Sequence, residues 1–339
     1  LFLKNHTVIE MIIIIDYVKE MEMKCFAKSG VITAGLISFG VITTLPAMAE
    51  SVTVDHIMGS TTIETSPTRV VVIGIGALDA VDALGIKPVA VSKGTTLPSY
   101  LTQYNDNNVS SAGTIFEPDF ESIYTQKPDL IIVGPRSSKH FKELTKIAPT
   151  FVFAVENGSD YWQSTQALWH DLGEIFDKQD VVNQKIETLN QRFAAIKNYN
   201  QSHNMDALML MSSGGNVTSF GEGSRFAVLY QDFGFKPTIE TDAKETKSEK
   251  TGGHGQLVSY ELVSQENPST LLILDRDQLV NKGKSTTRQD FDNDLVKSTK
   301  AYQDNRMVYL DIPAWYVASS GITATQTMIE DIEALSKAQ

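Results

Sequence analysis

The chain predicts an α/β protein of two Rossmann-like lobes joined by one long backbone helix, with a ligand cleft between the lobes. Three observations carry that expectation. Fully apolar, β-branched runs alternate with helical patterns, the syntax of a largely parallel sheet covered on both faces. The same syntax returns in the second half of the chain at constant offsets. Between the halves lies a long stretch of helix formers.

In the first half, Arg69 to Gly74 reads as a buried strand. Leu78 to Leu84 follows with helical spacing, and Gly85-Ile86-Lys87-Pro88 closes the helix with a C-cap glycine. Val89 to Val91 is a second strand, Phe120 to Thr125 a helix ending before Lys127-Pro128-Asp129, and Leu130 to Val133 another buried strand. In the second half, Leu208 to Met211 reads as strand and Ala227 to Asp232 as helix, and Gly234-Phe235-Lys236-Pro237 repeats the earlier punctuation at an offset of 149. A tighter echo places Glu261, Pro268 and Arg276 at an offset of 140 from Glu121, Pro128 and Arg136. Residues just beyond the carboxyl ends of parallel strands line the ligand crevice, so Arg136 and Arg276 are expected to face each other across it. Tyr161 to Asn198 has only Gly173 to interrupt its helical pattern, which fits one long helix or two abutting ones. A helical strut implies a small closure on ligand binding.

Composition narrows the function. The 339 residues hold 29 basic and 41 acidic side chains, a net charge of -12, with no basic tract to meet a phosphate backbone, so nucleic acid is not an expected partner. A single cysteine excludes a disulfide framework, a cysteine-rich zinc site and an iron–sulfur cluster. Near the N-terminus, Met23-Lys24 and Lys28, the uncharged run Val31 to Leu45 and Ala47-Met48-Ala49 form the three parts of a secretory signal peptide. The expected organisation is an over-extended N-terminus at 1–22, a signal peptide at 23–49, an N-terminal lobe at 50–160, the interlobe helix at 161–200 and a C-terminal lobe at 201–339. Cys25 precedes the apolar run rather than following it, so the exported chain is expected to be free in the periplasm, not lipid-anchored.

Five residues stand out as ligand-binding candidates. Arg136, Arg225 and Arg276 occupy loops with glycine or aromatic neighbours, and clustered arginines in an acidic protein suit an anionic ligand. Ion pairing with Glu222, Asp275 and Asp277 is the alternative. His254 lies between glycines after a polar tract, as on a flap. Tyr316 follows Trp315 in a loop after the strand Met307 to Leu310. The remaining histidines show no metal-ligand spacing, Gly74-Ile75-Gly76 lacks the rest of a dinucleotide fingerprint, and no nucleophile elbow, zinc-protease motif or P-loop occurs. Binding without catalysis is the expectation.

From about Ser51 to Ala338 the chain resembles the periplasmic iron-siderophore-binding proteins of bacterial ABC importers. The resemblance is carried by Pro67-Thr68-Arg69-Val70-Val71-Val72, Asp82-Ala83-Leu84-Gly85, Lys127-Pro128-Asp129-Leu130-Ile131-Ile132 and Asn305-Arg306-Met307-Val308-Tyr309-Leu310-Asp311. Cobalamin and haem binders share much of this pattern. Within the group, the catecholate-siderophore binders carry an arginine triad plus a His and a Tyr. Arg136, Arg225 and Arg276 look like the triad, and His254 and Tyr316 like the pair that ligates Fe(III) in tetradentate complexes. The resemblance implies capture of ferric tris- and bis-catecholates by a monomer with no permanently bound cofactor. It also implies delivery to an inner-membrane ABC permease, with Glu121 and Glu261 docking on it. A haem or cobalamin receptor and an exported siderophore hydrolase are the alternatives.

Overall fold

A computed structural model describes residues 50–156, 159–239, 255–281 and 283–337. The expected over-extended N-terminus at 1–22 and signal peptide at 23–49 therefore lie outside it, as does His254. The chain enters through a hairpin, β1 (Ser51–His56) and β2 (Gly59–Glu64). A parallel five-stranded sheet follows, in the order β5-β4-β3-β6-β7, from β3 (Val70–Ile73), β4 (Ala90–Val91), β5 (Ser110–Ser111), β6 (Leu130–Val133) and β7 (Thr150–Val152). Its crossovers include α1 (Ile75–Ala83) and α2 (Phe120–Thr125).

The spacing allowed one interlobe helix or two abutting ones, and the single backbone helix of the fold expectation gives way to two. α3 (Tyr161–Phe176) ends where Asp177 turns left-handed at φ 53, and α4 (Gln179–Ser202) begins two residues later. The abutting pair replaces the single rod. Gly173 lets the two approach: a Cβ there would lie 3.3 Å from both the Gln179 Cα and a Val182 methyl. Trp162 Nε1 donates to Asn190 Oδ1 at 2.7 Å, fixing the pair side by side. At 24 residues, α4 spans about 36 Å.

The second sheet runs β11-β9-β8-β12-β13, with β10 (Lys236–Pro237) pairing on β8. Its strands are β8 (Asp206–Ser213), β9 (Asn216–Phe220), β11 (Gln256–Val258), β12 (Leu271–Asp275) and β13 (Met307–Tyr309), with α5 (Tyr260–Glu266) leading into β12. It departs from the first sheet around β9, which pairs antiparallel with both β8 and β11. β8 and β9 form an antiparallel hairpin through Gly214-Gly215, both at positive φ (59° and 77°), where the first sheet has a parallel crossover. Two consecutive positive-φ residues match the right-handed strand twist, and glycine adopts them without cost.

The 140-residue echo is otherwise built into the backbone. Asp119 and Ser259 each cap their helix by accepting a backbone N–H from the residue three positions on. Ile123 and Val263 are both fully buried, and Lys127 and Asn267 end the helices left-handed at φ 48 and 46. β6 pairs with β3 as β12 pairs with β8. The strands alternate between layers: Val70, Val72, Leu130, Ile132, Leu272 and Leu274 belong to one apolar core that continues through α3, α4 and the C-terminal α6 (Ile322–Lys337). Val71, Ile73, Ile131 and Val133 face a second cluster, and Leu271 and Ile273 a third.

After β13 the chain crosses back, and α6 packs on α1. Asp79 of α1, fully buried, accepts hydrogen bonds from Thr323 N–H (2.7 Å), Ala324 N–H (3.0 Å) and the Tyr100 hydroxyl (2.6 Å). It thereby caps the first turn of α6 from 244 residues away. Gly76, suggestive of a nucleotide-binding turn, is explained here, because a Cβ would collide with the Ser319 carbonyl. Burial pushes the Asp79 carboxyl up to about 6, against the opposing pull of its three donors. An acid with a raised folded-state pKa binds more protons folded than unfolded, so its contribution to stability falls as pH rises from 3.8 to about 6. Asp79→Ala, which strands three donors, is expected to cost about 2–4 kcal/mol in urea unfolding at neutral pH. In Asp79→Asn the decline of stability across that pH window should flatten; an unchanged profile would contradict the assignment.

Candidate functional site

The residues after β13 form one turn of π-helix, Pro313–Val317, closed by Ala318 N–H donating to the Pro313 carbonyl at 2.8 Å. Such turns re-aim single side chains. Here Trp315 points inward, 2% exposed, with its Nε1 donating to Asp331 Oδ2 at 2.8 Å, while Tyr316 stays half-buried. The following residues are pinned by α3: Trp169 Nε1 donates to the Ser320 carbonyl at 2.7 Å, and Ser320 N–H donates to the Tyr161 hydroxyl at 2.9 Å.

All three candidate arginines meet at the Tyr316 ring. The Cζ atoms of Arg136, Arg225 and Arg276 lie 5.8, 4.3 and 5.9 Å from its centroid. Arg136 comes from the loop after β6 and Arg276 directly follows β12, so each sheet contributes one arginine at the carboxyl end of a parallel strand, while Arg225 comes from the loop after β9, which runs antiparallel to β8. Arg225 Nη2 donates to the Tyr316 carbonyl at 3.2 Å, and Arg276 Nη1 to Ser213 Oγ at 2.9 Å. Two of the three carboxylates that offered an alternative are engaged elsewhere. Asp275 accepts from Gln278, Ser285 and Thr287, and Asp277 accepts from Gly214 N–H. Among the described residues none of the three guanidiniums has a carboxylate within ion-pair distance.

The electrostatics follow from this clustering. Burial lowers the Arg225 pKa, and the neighbouring Arg136 charge adds to that, although the Tyr316 phenol partly compensates. For the Tyr316 phenol, burial pushes upward but is outweighed by Arg225, by the hydrogen bond and charge of Arg276 and by Arg136, leaving it below the ordinary tyrosine value. The assembly can hold an anion by charge-assisted hydrogen bonds and offer a phenolate oxygen to a hard cation.

Sequence reasoning missed Asp79, Tyr161, Trp169 and Ser213, which place Tyr316 and Arg276; their partners lie far along the chain, and no local pattern marks them. Glu121 and Glu261 are exposed on the first turns of α2 and α5. In alkaline difference spectroscopy of wild type against Tyr316→Phe, the missing phenol should ionise below pH 10, and Arg225→Leu should move it upward. An unshifted phenol in that variant would contradict the geometry.

Comparisons with known proteins agree with this architecture. The chain is 32% identical over 287 residues to the petrobactin-binding protein YclQ of Bacillus subtilis, covering 84% of this chain and 88% of that protein. It is 30% identical to the ferric-anguibactin-binding protein FatB of Vibrio anguillarum, covering 83% and 86%. Its fold matches the crystal structure of the periplasmic catecholate-siderophore binding protein VctP of Vibrio cholerae with a TM-score of 0.80. That match has 52% identity and covers 84% of this chain and 100% of that one. Among the described residues no helix is long and apolar enough to cross a membrane. The profile of the periplasmic binding protein family matches residues 70–314, and the chain belongs to that family of substrate-binding proteins, which are not enzymes.

Proposed function

We propose that the chain captures ferric catecholate siderophores between its lobes and delivers them to an inner-membrane ABC permease. The observation that carries this reading is the set of three guanidiniums around one tyrosine with no carboxylate partner among the described residues, in a chain of net charge -12. Three like charges in a partly desolvated site repel one another, and a multiply charged anion relieves that cost. Ferric catecholates supply such an anion, with oxygen edges suited to bidentate guanidinium contacts. The catecholate-siderophore binding of VctP, the petrobactin binding of YclQ and the ferric-anguibactin binding of FatB support a ferric-siderophore ligand.

A hexadentate tris-catecholate fills the iron's coordination shell and needs only the arginines. A tetradentate bis-catecholate leaves two positions open, which the Tyr316 phenolate and the His254 imidazole would complete. His254 lies outside the described residues; what supports its part is that β11, starting two residues later, pairs with β9, the strand leading to Arg225. Iron here is cargo, not a resident cofactor. For export, we take residues 23–49 as a cleaved signal peptide, giving a mature chain that starts at Glu50 without a lipid anchor. For docking, Glu121 and Glu261 occupy equivalent exposed positions in the two capped helices, a two-point acidic contact suited to a pseudo-symmetric basic partner.

Titration of the mature chain with both chelate types, followed by tryptophan quenching and the visible charge-transfer band, is expected to show binding of both. His254→Ala and Tyr316→Phe should weaken and shift the band of the bis-catecholate complex alone. Binding of haem or cobalamin in place of either chelate would overturn the ligand assignment. Glu121→Lys or Glu261→Lys should impair cellular uptake while leaving chelate affinity intact; loss of affinity instead would remove the docking role. Mass analysis of the exported protein should give Glu50 as the first residue, and a lipidated or uncleaved product would refute that maturation.

A further inference from the structure

The arginines recognise charge, and charge alone does not separate a catecholate complex from any other anionic chelate. A neighbouring aromatic side chain supplies what they lack. Phe116 is 54% exposed, and its ring centroid lies 5.9 Å from the Arg136 Cζ, nearly the 5.8 Å from that carbon to the Tyr316 ring. Arg136 thus has two rings in cation–π range, one half-buried and one open.

The turn that presents Phe116 is braced. Its own N–H and that of Glu117 donate to Thr114 Oγ1 at 3.2 and 3.0 Å, and Thr114 N–H donates to the Glu117 carbonyl at 2.9 Å. The turn is also tied to the Arg136 loop. The buried Ser137 hydroxyl donates to the Ile115 carbonyl at 2.6 Å, and His140 Nε2 lies 3.1 Å from the Phe116 carbonyl oxygen. The backbone segments that carry ring and guanidinium are therefore tied to each other before any ligand arrives. Phe116 joins none of the three apolar clusters, and the contact of its exposed ring with Arg136 is a cation–π contact open to solvent.

We infer that Phe116 is a specificity-determining residue, a preformed wall against which an aromatic ring of the bound chelate stacks while Arg136 holds that ring's oxygens. The inference rests on the ferric-catecholate reading above. A planar ring whose oxygens are gripped by Arg136 lies within reach of the phenyl face, and offset or edge contacts between rings add to binding beyond the area they bury. Pre-organisation matters because the turn that carries the ring is already ordered by its own hydrogen bonds, which lowers the cost of binding.

The test is titration of wild type, Phe116→Leu and Phe116→Tyr with a ferric tetradentate bis-catecholate, with thermal melting as a control for folding. The leucine variant is expected to bind about tenfold more weakly with an unchanged melting temperature, and the tyrosine variant to match wild type. Equal affinity of wild type and the leucine variant would overturn the stacking role. Equal affinity combined with lost cellular uptake would also overturn it, and would assign Phe116 to the permease-facing surface. If wild type itself fails to bind the bis-catecholate, the ligand reading fails first and the inference falls with it, an outcome distinct from selective loss of the leucine effect.

Discussion

The site depends on how the chain is held just after Tyr316. Ser320 is gripped through both its backbone groups by Tyr161 and Trp169 of α3, and four residues further on Asp79 of α1 caps the helix that follows. These partners are buried, where an unpaired polar group is costly, so the segment has one satisfactory position. Tyr316 rides on that segment. Because β13 supplies the chain from the second sheet and α1 and α3 receive it, the phenol stands where loops from both sheets converge.

This anchoring makes an unfavourable charge arrangement sustainable. Three guanidiniums within 6 Å or less of one ring centroid would separate if their loops were free. Arg225 is tied to the Tyr316 carbonyl and Arg276 to Ser213, and a single apolar core runs through both sheets and the connecting helices. Rigid packing thus holds the repulsion that an anionic ligand relieves, which is how pre-organised sites convert stability into affinity. The same continuous core opposes a wide swing of one lobe against the other.

Much of this was legible in the sequence because it rests on local rules. The buried strands, the helix caps and the two-lobe echo from Glu121 to Arg136 and Glu261 to Arg276 all follow from spacing and punctuation. The same logic placed Arg136 and Arg276 at strand ends. Local rules failed where distant partners decide. Nothing near Asp79 marks it as the cap of a helix 244 residues away, and Gly76 imitates a nucleotide turn because it must admit the Ser319 carbonyl. Two further features carry readable signals: Gly214-Gly215 is a hairpin turn, and Gly173 marks the close approach of two helices, one of the two arrangements the apolar periodicity allowed. Phe116 gave no signal, since an aromatic in a loop is ordinary until its distance to Arg136 is known.

The most direct test is a crystal structure of the mature chain with a ferric tetradentate bis-catecholate. The account predicts the chelate between the lobes, its catecholate oxygens on Arg136, Arg225 and Arg276, and the Tyr316 oxygen on the iron. A chelate bound away from Tyr316, or one whose oxygens leave the three guanidiniums without contact, would contradict it.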